Sequence, residues 1–288
     1  MTVINTNISA NIARDAIGRN NREMAVAMER LSTGLRINSA KDDAAGLAIA
    51  NRMAGQVSGL NMAARNANDA ISMVQTIEGA TKEIGNILVR MRELAVQAAS
   101  GTYSSSDRTA LDSEFDALRT EITRIQTNTE WNGQDLMNGG NTVNVQLGAS
   151  ADQQMAITFA DWTVADAKVY GTATAGSHSS ATSTAISALD IAASTLVAED
   201  AIHTLDIAID GVTAEQATYG SYLSRLQHAA DNLLNVATNT DQSRSRIEDA
   251  DYAIETTELA RTQIIAQAST AMLAQANQVK QTVLALLQ

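Results

Sequence analysis

The sequence contains no cysteine and no proline. Without cysteine there is no disulfide scaffold, no thiol nucleophile and no Cys-based zinc site. Without proline, helices run unbroken, since a proline inside a helix costs about 3 kcal/mol or more. Aromatic residues make up 3% of the 288 residues, although 45% are hydrophobic. Ala, Leu, Ile, Val and Met carry that fraction, and they fill helix–helix seams more readily than a wide globular core. Histidine is scarce: His178, His203 and His228 stand apart, with no HExxH pair. No metal, cofactor or acid–base centre is therefore expected. Basic residues number 20 against 32 acidic ones, a formal net charge of −12. That balance argues against nucleic acid and against anionic membrane as partners. No run of 18 apolar residues offers a membrane-spanning helix. The first residues lack the basic and apolar regions of a cleavable secretory signal, and taken alone this reads as cytoplasmic.

What the sequence has is helical spacing. Leu60, Ala64, Ala67, Ile71, Val74, Ile77, Thr81, Ile84, Leu88, Met91, Ala95 and Ala98 step by threes and fours. The spacing predicts a helix from about Ala44 to Ala99, roughly 80 Å long. Ser39 and Asp42 read as its capping box, and Gly101 as its C-terminal cap. A second stripe, Leu111, Phe115, Leu118, Ile122 and Ile125, follows Asp107 and is broken at Trp131-Asn132-Gly133. The period then changes to two. Val143, Val145 and Leu147 alternate with polar residues, as do Met155, Ile157 and Phe159, which predicts a β-hairpin near 143–160. Trp131 and Trp162 read as anchors of the turn and the hairpin. The stretch 169–189 has no charged residue and is rich in Ser and Thr, and reads as an exposed loop. Helical spacing returns from Ile202 to Ala237, with a phase that carries on to Ile247 and Ile254. Gly211 and Gly220 inside that run suggest close packing or a bend.

The two ends complete the pattern. Ile17, Met24, Met28, Leu31 and Leu35 share one seam, with Asn21 in the gap. Ile265, Met272, Val279, Val283 and Leu286 share another. Residues 1–40 hold five Arg against three acidic residues, and residues 245–288 hold three basic against five acidic. Opposite charge on two amphipathic terminal helices predicts a coiled-coil pair. Thr262–Gln288 contains one charged residue, Lys280, and so apolar a helix needs partners. The expected fold is mainly α: a long antiparallel helical rod with coiled-coil terminal helices and one small β-hairpin. Residues 1–42 plus 245–288 would form the terminal domain, and 43–168 plus 190–244 the helical rod domain.

Three segments carry a family resemblance. The run Met28–Met53, MERLSTGLRINSAKDDAAGLAIANRM, resembles the N-terminal signature of bacterial flagellins. Ser243–Tyr252, SRSRIEDADY, and Leu273–Val279, LAQANQV, resemble the C-terminal signatures. The resemblance covers about residues 1–145 and 190–288. It implies a structural subunit, not an enzyme, that polymerises with itself into the extracellular flagellar filament used for swimming. The terminal helices would make an inner tube and the long helices an outer one. The resemblance also implies export without a cleaved signal through the flagellar type III channel, which reverses the cytoplasmic reading. An export chaperone and the hook-junction and cap proteins would be its partners. One departure stands out: flagellins usually read Gln-Val-Pro-Gln near the end, and this chain has Lys280 at the proline position. A hook–filament junction protein and a surface-displayed, ligand-binding homologue are the alternative readings.

Site residues follow from the same resemblance. Val89–Gln97 is similar to the flagellin segment recognised by the animal Toll-like receptor 5, which implies a patch of Arg90, Leu94 and Glu114. Arg90 and Leu94 are four residues apart and share one helix face. Many flagellins are O-glycosylated, which makes Ser177, Ser179, Ser180, Thr182, Ser183 and Thr184 candidate acceptors. Arg36, Lys41, Asp42 and Asp43 form a charged loop, read as helix capping and contact between subunits.

Overall fold

The computed structural model describes residues 7–163 and 186–285, with side chains as far as Gln278, that of Ala188 excepted. The side chains of Val279, Lys280 and Val283, all of Leu286, and the acceptors Ser177, Ser179, Ser180, Thr182, Ser183 and Thr184 therefore lie outside the described residues. The described chain is mainly α-helical. Its helices are α1 (Ile8–Thr33), α2 (Ala44–Ala99), α3 (Ser105–Asn128), α4 (Thr195–Glu248) and α5 (Tyr252–Ala285). Two antiparallel strand pairs join them: β1 (Glu130–Trp131) with β2 (Gln134–Asp135), and β3 (Thr142–Gln146) with β4 (Gln154–Thr158). The chain divides into two units, residues 1–57 with 238–288, and residues 58–237, and α2 and α4 contribute to both.

In the unit 58–237, α2, α3, α4 and the β3–β4 hairpin share one core. Ile77, Ile84, Leu88 and Met91 of α2 meet Phe115 and Ile122 of α3, Leu205 and Tyr219 of α4, and Ile157 and Phe159 after the turn. The α2 stripe read from the sequence is this core line, and its polar member Thr81 is buried with its hydroxyl donating to the Glu78 carbonyl. The hairpin register pairs Val143 with Ile157 and Val145 with Met155. Its turn rests on α2 at Gly59, where a Cβ would come within 2.9 Å of the Ala149 Cβ. Trp162 is buried and donates its indole N–H to the Tyr219 hydroxyl at 3.2 Å.

Several local expectations change. Asp42 accepts from the Asn38 and Ser39 amides and the Ser39 hydroxyl, so it closes the turn before α2. Asp43 caps the helix instead, accepting from the Gly46 amide at 2.9 Å. Gly101 is not left-handed, and α2 ends in a Ser100–Thr102 hydroxyl turn. Trp131-Asn132-Gly133 does more than break α3. Asn132 and Gly133 both have positive φ, 48° and 76°, and make the two-residue turn of a second small hairpin. The end of the Ser/Thr-rich loop is not exposed, because Ile186 and Leu189 are buried. Arg119 of α3 donates to the Leu189 carbonyl, and Asp112 accepts from the Ile191 amide. Gly220 faces open space, so close packing does not explain it. The helical phase does not continue to Ile254: α4 stops at Glu248, and Ile254 lies exposed on α5.

Candidate assembly interface

In the terminal unit, α1 and α5 run antiparallel. Asn7 donates to Asn277, Asn20 to the Thr262 carbonyl at 2.7 Å, and Arg30 to Glu255 at 3.0 Å. Gly34 ends α1 in the left-handed conformation, φ 74°, and its amide returns to the Arg30 carbonyl. The chain then pairs with the break between α4 and α5. Arg36 donates its amide to the Glu248 carbonyl at 2.7 Å, and Ala250 donates to the Gly34 carbonyl at 2.9 Å. The Arg36 guanidinium holds the Ile247 carbonyl, satisfying the end of α4. Asp251 then accepts from the Ala253 and Ile254 amides and starts α5.

The α1–α5 contact is built from small and polar residues. Asn20, Ala27, Glu255 and Thr262 are its buried members. The half-buried neighbours keep heptad steps: Ala13, Ile17, Met24 and Leu31 on α1, and Leu259, Ala266, Ser269, Leu273 and Ala276 on α5. The Thr262 hydroxyl turns back to the Glu258 and Leu259 carbonyls, while Asn20 Oδ1 is buried with no hydrogen-bond partner.

Three of the large side chains lie beside that contact, not in it. Met28 is 55% exposed, Ile265 37% and Met272 70%, so these three seam residues do not bury against the partner helix. Ile17, Met24, Leu31 and Leu35 are half-buried, and Asn20, rather than Asn21, fills the polar gap. The residues missed are those a search for large hydrophobes passes over: Asn20, Ala27, Glu255 and Thr262. Their signal was a heptad of small and polar side chains. At about 100° per residue, Ile254, Ile265 and Met272 fall about 60–80° to one side of Thr262, forming one apolar stripe. Ile12 lies on the same side of the pair, and with Ser9, Ala13, Ala16, Ser269 and Met272 it lines an open groove of about 330 Å³.

The second group of candidate residues sits on α2. Arg90 donates to Glu114 of α3 from Nε at 3.1 Å and Nη2 at 2.9 Å, and to Glu93 from Nη1 at 2.9 Å. These hydrogen bonds, Glu93 first, raise the Arg90 pKa. Leu94 is 1% exposed and belongs to the core, so it is absent from the surface patch that Arg90 and Glu114 share. The reason is that α2 has neighbours on both flanks. Arg90 reaches α3, while Arg92 reaches Asp206 of α4. Measured from Leu88 at about 100° per residue, Arg90 lies at about 200°, Leu94 at about 240° and Arg92 at about 40°. The buried arc runs between the two arginines and includes Leu94. The exposed arc on the other side carries Val89, Glu93 and Val96. His203 and His228 are exposed, and no group of three His, Asp or Glu side chains suited to a metal exists among the described residues.

The profile of the bacterial flagellin N-terminal helical region matches residues 4–142, and that of the C-terminal helical region matches residues 202–287. The chain belongs to the bacterial flagellin family. It is 43% identical over 286 residues to a flagellin of Halalkalibacterium halodurans, covering 99% of both chains. It is 41% identical over 311 residues to a flagellin of Bacillus subtilis, again covering 99% of both. A flagellar hook-associated protein of Vibrio parahaemolyticus shares the fold, with a TM-score of 0.60 and 13% identity over 72% of this chain and 100% of that one. As a flagellin-family member over its full length, the protein is a structural subunit of the extracellular flagellar filament. The two matched regions supply both helices of the terminal pair. No helix among the described residues is long and apolar enough to cross a membrane.

Proposed function

We propose that the subunit polymerises through the apolar flank of its terminal helix pair, with residues 1–42 and 245–288 forming the inner tube of the filament and 43–168 with 190–244 the layer around it. One observation carries this reading: Ile12, Ile254, Ile265 and Met272 stay exposed, while the fully buried positions of the α1–α5 seam are Asn20, Ala27, Glu255 and Thr262. Burying apolar surface contributes about 25 cal/mol per Å², so this flank gains most when another copy covers it. The full-length identity to filament flagellins favours the filament subunit over the junction protein or a ligand-binding display protein. Within this reading the chain leaves the cell without a cleaved signal, met by an export chaperone and by the hook-junction and cap proteins.

Deleting Thr262–Gln288 tests the assignment. The shortened chain keeps the 58–237 core and its helical circular dichroism, and it no longer elongates filament seeds. Normal filaments from the shortened chain would refute the terminal-pair account. The surface shared by Arg90 and Glu114 is the proposed contact for Toll-like receptor 5. There Arg90→Ala weakens receptor activation by free subunits without changing helix content, and unchanged activation sinks that contact.

A further inference from the structure

We propose that Met272 is an oxidation site that controls whether a free subunit can join the filament. The inference rests on the assembly reading above and adds its regulation. Met272 is 70% exposed, and its thioether lines the groove with Ile12, Ala13 and Ala16. Thioethers at such positions meet oxidants first, whereas Met73, Met91, Met137 and Met155 are buried. The oxidant class is a peroxide. A sulfur lone pair attacks one peroxide oxygen, the S–O bond forms as the O–O bond breaks, and the leaving oxygen takes a proton and departs as water. Sulfur is oxidised by two electrons and the peroxide is reduced by two.

The product places a strong S=O acceptor in a groove whose other large side chain is Ile12. The nearby polar side chains are the hydroxyls of Ser9 and Ser269. In the free subunit water solvates the sulfoxide. Under a second copy that water is expelled, and the Ser9 and Ser269 hydroxyls are the only groove side chains left to donate, so the acceptor's lost hydration is not fully replaced. The chemistry thus distinguishes two states of one residue: open to oxidant and solvent in the subunit, covered in the polymer. Met28 is the other exposed thioether of the described terminal helices, and it lies on the opposite flank of α1 from Ile12. That makes it the internal control.

The test treats purified free subunits and finished filaments with hydrogen peroxide, maps oxygen addition by peptide mass, and measures elongation of sheared filament seeds. Met272 is expected to gain oxygen before the four buried methionines in free subunits, and to resist in filaments. Treated subunits should elongate seeds about tenfold more slowly, the factor set by one incompletely paired acceptor at the contact. Each variant is compared with its own untreated rate: treatment should leave the rate of Met272→Leu unchanged and should slow Met28→Leu as it slows wild-type protein. Where Met272→Leu itself slows untreated growth, reduction of treated wild-type protein by methionine sulfoxide reductase with a thiol replaces it, and recovery of the rate supports the proposal. Full-rate growth of subunits oxidised at Met272, protection by Met28→Leu alone, or equal oxidation of Met272 in filaments overturns it. Untreated wild-type subunits that fail to elongate seeds refute the assembly reading instead.

Discussion

Leu94 and Arg90 differ in what they touch, although one helical turn separates them. Leu94→Ala leaves a cavity between α2 and its flanking helices and should cost about 2–5 kcal/mol in a denaturant titration. Arg90→Ala should leave the midpoint nearly unchanged, because its partners Glu93 and Glu114 are solvent-exposed. Tyr219 gives a pH signature. Its buried hydroxyl accepts from Trp162, and burial pushes its pKa from the ordinary value of 10.0 up to about 12. The folded state therefore holds the neutral phenol where the unfolded chain begins to ionise. Stability from this group is intact below about pH 10 and is lost as pH rises through about 12. The unfolding midpoint should fall across that window more steeply in wild-type protein than in Tyr219→Phe, and parallel curves would remove Tyr219 as the cause.

Each helix end rests on one or two side chains. Ser104 caps α3 by accepting from the Asp107 amide, and Asp107 answers by accepting from the Ser104 amide and hydroxyl. Ser104→Ala should cost about 1 kcal/mol, seen as faster amide exchange in the first turn of α3. The Ser104 hydrogen bonds, side chain first, hold the Asp107 carboxyl below its ordinary pKa. The cap therefore survives mild acid and is lost as pH falls through that lowered value. In the terminal pair, Asn20 is the register residue, with its amide on the Thr262 carbonyl and its own oxygen unpaired. Asn20→Leu should make α1 more protease-resistant in the free subunit by removing a buried unpaired acceptor. It should also loosen the register, as loss of a polar core position does in coiled coils. Unchanged cleavage would show that the seam is not limited by Asn20.

At the scale of the whole subunit, the two units differ in what holds them. Residues 58–237 share a core of Leu, Ile, Met and aromatic side chains, while the α1–α5 seam buries mostly Ala, Asn, Thr and Glu. Little apolar area on that seam means little resistance to opening without neighbouring copies. Trypsin should cut free subunits at the exposed Arg14, Arg19, Arg22 and Arg261 and leave a resistant fragment near residues 58–237. Assembly should abolish those cuts, and equal protection of the ends in free subunits would contradict coupled ordering and assembly.

The run of helix α2 was legible because its signals are local, although the caps read at Ser39–Asp42 and Gly101 are not the ones the helix uses. A stripe at period 3.6 from Leu60 to Ala98, with no proline to interrupt it, fixes a helix whatever it packs against. The β3–β4 hairpin was legible for the same reason, with period-two alternation on both sides of one turn. Family membership was legible in the signature runs at both ends, and with it the kind of polymer. The choice of faces was not local. Large hydrophobes mark Met28, Ile265 and Met272 as seam residues, yet the helix pair closes on Asn20, Ala27 and Thr262 and leaves those three exposed. Leu94 reads as a surface neighbour of Arg90 until α3 and α4 are both in place. The sequence by itself determined where helices run and what family they build. Tertiary structure decided which side of each helix is inside, because burial depends on neighbours contributed from distant positions in the chain.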